Sequence, residues 1–71
     1  MIVFSTVLEV NGSPTVYSVY KNGALAFFSP TTYKRAPILF ATCSDSSWNI
    51  KGTSDHNLVR QVIREISDVR A

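Results

Sequence analysis

Two Asn-Gly pairs, Asn11-Gly12 and Asn22-Gly23, each lie between runs rich in β-branched and aromatic residues, and they constrain this chain more than any other feature in it. A two-residue hairpin turn needs positive φ at its centre, which Asn and Gly adopt at little steric cost. Strands are therefore predicted over about 2–10, 15–20 and 24–29, joined as consecutive hairpins. Ser29 to Pro37 reads as a loop bounded by two prolines, neither of which can donate to a ladder. A fourth strand over about 38–42 follows, then the turn-forming run Ser44-Asp45-Ser46-Ser47 and a short fifth strand over about 48–51.

The end of the chain changes period. Leu58, Val59, Val62, Ile63, Ile66 and Val69 recur at helical spacing, while Arg60, Gln61, Arg64, Glu65 and Asp68 fall largely on the other side. A helix over about 55–69 is predicted, with Ser54 as N-cap and Asp55 at the positive end of its dipole. Such a helix does not persist alone and must dock on the sheet. The fold class is therefore α+β: an antiparallel meander of four to five strands and one C-terminal amphipathic helix, all within a single domain spanning 1–71.

Register follows from the turns. If each Asn-Gly pair forms the two central residues, Val10 opposes Ser13 and Lys21 opposes Ala24. Phe4, Val19 and Ala26 then share one face with Thr6, Tyr17, Phe28 and Leu8. The other carries Val3, Tyr20 and Leu25, a Ser5-Ser18-Phe27 row, and Val7 with Val16. Both faces are substantially apolar, whereas a sheet covered on one side should alternate apolar with polar. The helix is assigned to the Phe4, Tyr17, Val19, Phe28 side, where Ala24 and Ala26 permit close approach.

The second face, with Val3, Val7, Val16, Tyr20, Leu25 and Phe27 as candidate interface residues, has three physical solutions. The sheet can curl towards a barrel, a second copy can stack on it, or a ligand or other partner can bind it. A low charge content favours self-association: only 17% of residues are charged, and the net charge is +2. The leading expectation is a non-enzymatic interaction module, a homodimer or the binder of an unidentified protein partner.

The alternative is weak nucleic-acid binding. Tyr33, Lys34 and Arg35 in the Pro-bounded loop, with Lys21 and Lys51, combine a ring that stacks on bases with cations that neutralise phosphates. Against it stands the small number of cations and the lack of an RNP-type or helix-turn-helix pattern. The Gly52-Thr53-Ser54-Asp55 segment could hold a phosphate on free N–H groups, but Asp55 opposes an anion there and capping is the simpler role.

Catalysis finds little support. Cys43, Asp45 and His56 are the residues from which a nucleophile, orienter and base could be assembled, and nothing in their spacing joins them. Neither a metal site nor a cofactor fingerprint is expected. Trp48, with Phe40 and Ile50, reads as core. The single Cys43 excludes an internal disulfide framework and fits a reducing, cytoplasmic setting. The first residues lack the basic start of a secretory signal, and no run has the length of a membrane span. Asn11-Gly12-Ser13 matches a glycosylation triplet but is followed by Pro14, without an export signal.

Overall fold

A computed structural model describes residues 1–67. Five antiparallel strands form one open sheet in sequence order: β1 (Ile2–Val10), β2 (Ser13–Asn22), β3 (Leu25–Pro30), β4 (Leu39–Ser44) and β5 (Ser47–Lys51). Helix α1 (His56–Ser67) packs on one side of it. The α+β architecture is thus as the sequence predicts, and since β1 and β5 are not paired with each other, closure into a barrel is ruled out. Among the described residues, no helix is long and apolar enough to cross a membrane.

The first hairpin has the expected register. Asn11 and Gly12 both take positive φ (52° and 80°), and Val10 opposes Ser13. The second is displaced. Its turn residues are Gly23 and Ala24, with Gly23 at φ 58°, so Asn22 pairs with Leu25 and Lys21 with Ala26, not with Ala24. Glycine at the first central position is the demand of a mirror-image type II turn. Partners therefore move by two residues, and because side chains alternate with period two, every residue keeps its face. Ala24 becomes an exposed turn residue rather than a point of close approach to the helix. The third hairpin turns at Asp45 and Ser46 (φ 52° and 65°).

Two prolines lie inside strands. Pro14 pairs with Glu9, at a position whose missing N–H faces away from β1, and Pro30 falls past the end of β4's pairing with β3. Neither removes a ladder bond.

The core lies between α1 and one sheet face, with Leu8, Tyr17, Val19, Phe28, Leu39 and Ala41 beneath Leu58, Val62 and Ile66. Val59 and Ile63 are half-buried at its margin, and Val69 lies outside the described residues. The N-cap is Asp55, not Ser54: its carbonyl accepts from Val59 N–H, and its Oδ1 accepts from Asn57 N–H at 3.0 Å. Thr53 Oγ1 in turn accepts from Asp55 N–H.

Candidate functional site

The sheet face opposite α1 is built from the four pairings that join the five strands. Val3 pairs with Tyr20, Tyr20 with Phe27, Phe27 with Phe40, and Phe40 with Lys51, a cross-strand row spanning all five strands. Its aromatic rings touch in sequence: Tyr20 to Phe27 at 6.2 Å between centroids, Phe27 to Phe40 at 6.1 Å in an edge-to-face arrangement. A parallel row of hydroxyls, Ser5, Ser18 and Ser29, comes next, and beyond it Val7 pairs with Val16. On the other flank, Leu25 pairs with Thr42, and Thr42 with Asn49.

These apolar side chains meet solvent. Val3 and Val7 are 60% and 58% exposed, Leu25 50%, Phe40 45% and Tyr20 41%. Val16 and Phe27 are half-buried by their neighbours. All six residues singled out from the sequence therefore share one open face. Phe40 was expected in the core with Trp48 and Ile50, and this is corrected: Leu39 and Ala41 point at the helix, so the residue between them points away. Trp48 and Ile50 pack against the core's edge, half-buried.

The charges on this face sit at its margins. Lys51 ends the aromatic row on the short edge strand β5, and Glu9, paired with Pro14, lies at the far end of β1.

The proposed basic cluster is not assembled. Lys21 belongs to the opposite face, in the row Ile2, Lys21, Ala26, Ala41, Ile50, and is only 7% exposed. The two small alanines leave space for its stem. Its ammonium donates to the Gly23 carbonyl at 3.1 Å and sits 5.8 Å from the centre of the Trp48 ring. Lys51 is on the other side of the sheet. Tyr33, Lys34 and Arg35 are exposed in the loop between β3 and β4, with Tyr33 against the first hairpin near Val10 and Pro14.

Cys43 and Asp45 lie at the β4–β5 hairpin, and β5 then carries the chain to the opposite end of the sheet, where His56 opens α1. Among the described residues, no three His, Cys, Asp or Glu side chains gather closely enough to hold a metal ion. The Gly52–Asp55 segment is occupied by its own capping bonds.

Sequence reasoning missed the β1 outer edge. Gln61 on α1 uses both ends of its amide there: Oε1 accepts from Glu9 N–H at 2.8 Å and Nε2 donates to the Glu9 carbonyl at 3.0 Å. Thr6 Oγ1 donates to Glu65 further along the same strand. No local pattern announces contacts between residues this far apart in sequence.

No family model, curated protein or solved structure matches this chain.

Proposed function

We propose that this protein is a small self-associating interaction module, and that a second copy of the chain covers the open sheet face. The observation that carries this reading is the row Val3, Tyr20, Phe27, Phe40, uncovered on the side away from α1. Contiguous exposed apolar surface of this kind marks an interaction site more often than isolated exposed residues do.

A second copy suits the face because the centre carries no charge to repel its like. The two charged side chains, Glu9 and Lys51, are of opposite sign and lie at the margins. Five strands about 4.8 Å apart and about six residues long present a face of about 20 by 24 Å, so stacking two would bury roughly 1,000 Å² in total. That is near the lower bound for a specific interface, and the association is accordingly weak and concentration-dependent. A reducing, cytoplasmic setting fits the single Cys43.

Sedimentation across a wide concentration range tests the reading. A mass that rises with concentration is expected, and the rise should be reduced in Phe40→Asp, whose carboxylate stands beside Lys51 and away from the core. A strictly monomeric wild type at every concentration removes the proposal.

A further inference from the structure

The hairpin at Asn11-Gly12 closes on the pair Val10 and Ser13, so even-numbered residues of β1 turn their backbone groups towards β2. Odd-numbered residues then turn theirs outward. Gln61 bears this out, since it meets both the N–H and the carbonyl of Glu9 from outside the sheet. The same outward row contains Val3, Ser5 and Val7, and among the described residues no hydrogen bond reaches it there. An amide that donates and accepts at one residue reproduces what a neighbouring strand does. The edge is therefore geometrically competent to take one.

The two edges of the sheet are not equivalent. On β5 the alternation leaves only Trp48 and Ile50 facing outward, on a five-residue strand that ends in Lys51. On β1 the row is longer, and its residues between Ile2 and Leu8 include neither lysine nor proline, the usual guards of an exposed edge. A polar-lined cleft of about 270 Å³ between Val7, Leu8, Gln61, Arg64 and Glu65 opens beside β1 on its helix side.

We propose that β1 pairs antiparallel with β1 of a second copy about a two-fold axis at Ser5, joining two five-stranded sheets into one. In that register Ser5 opposes its own counterpart and Val3 opposes the counterpart of Val7. Three outward-turned residues on each copy then exchange roughly six hydrogen bonds. Gln61 sets the limit, because the next outward residue, Glu9, already has its backbone satisfied. On the open face the pairing brings Val3 beside Val7 in both directions, β-branched pairs that favour adjacent strands. The surface used is the edge and not the face, so this contact stands or falls independently of face-to-face stacking. Where both form with their axes crossing at a right angle, the assembly closes as a tetramer with three perpendicular two-folds.

Backbone hydrogen exchange, read residue by residue, tests it in the unsubstituted chain. Val3, Ser5 and Val7 amides should be protected together at high concentration and lose that protection on dilution, by at least about tenfold in rate. Ser5→Pro should abolish the protection of Val3 and Val7 and lower the sedimenting mass. Its missing N–H is an outward one, so circular dichroism should stay that of the folded sheet. Phe40→Asp should retain the edge protection, which separates this contact from that of the face. The proposal is overturned if the three amides exchange freely where the protein is associated. It is equally overturned if their protection persists undiminished at monomer concentrations, because the partner then lies within the chain.

Discussion

Phe27 and Phe28 are consecutive residues of the same type, and the sheet sends them to different environments. Phe28 lies against Tyr17, ring edge to face at 6.3 Å, and is fully buried under α1. Phe27 stands in the opposite row, touching Tyr20 and Phe40 and partly open to water. The two faces are alike in apolar content and differ in what the chain has left to cover them. Apolar composition therefore tells which surfaces are costly to expose, and the placement of the helix tells which ones the monomer leaves exposed.

The sharpest way to break that comparison is to truncate both rings. Phe28→Ala should cost about 3–5 kcal/mol, a buried aromatic replaced by a cavity, which takes most of the stability available to a domain this small. Phe27→Ala should cost only about 1 kcal/mol in the monomer, the worth of its ring contacts. Urea denaturation at concentrations too low for association measures both. Equal costs would mean that the open face is as integral to the monomer as the covered one.

How the chain passes from one face to the other gives the next largest effect. Gly52 follows β5 and takes φ 108°, a conformation open to glycine and strained for other residues. A Cβ built there would stand 2.2 Å from the Ile38 carbonyl oxygen, which is backbone and cannot swing aside. The chain must run this close to the start of β4 to bring α1 beneath the sheet. Gly52→Ala should destabilise by about 2–3 kcal/mol. A thermal melt of Gly52→Ala matching that of the parent would show that the crossing has another route.

Much of this was readable from the residues, for a definite reason. Period-two alternation made the faces robust: the second hairpin slipped by two positions, from Lys21 opposite Ala24 to Lys21 opposite Ala26, without moving one side chain across the sheet. The same parity already placed Lys21 on the helix side with Val19 and Tyr17, so its exclusion from an exposed basic surface was legible although the cation count suggested otherwise. Phe40 was harder, because Ile38, Leu39, Phe40 and Ala41 are all apolar and offer no alternation to read. Pairing with Phe27 decides it. Thr53, Ser54 and Asp55 are three competent caps in succession, and local sequence alone does not choose among them. The Gln61 bond to Glu9 depends on where a helix lands relative to a strand far away in sequence, which no pattern of either segment encodes.

The smallest effect is also the most specific to the covered face. Tyr17 is buried, with its hydroxyl donating to the Pro37 carbonyl at 2.8 Å, and burial raises its pKa above the ordinary value near 10. Above that ordinary value the unfolded chain has given up a proton that the folded chain retains, so stability falls as pH climbs from about 10 through the folded value. Tyr17→Phe removes this dependence and, at neutral pH, costs about 1 kcal/mol for the lost hydrogen bond and the carbonyl left unpaired. The stability gap between the two proteins should therefore be widest below about pH 10 and shrink as the solution becomes more alkaline. Urea midpoints collected from about pH 8 to about pH 11 follow it, and curves that stay parallel over that range would place the Tyr17 phenol in contact with water, on a face less completely covered than its geometry indicates.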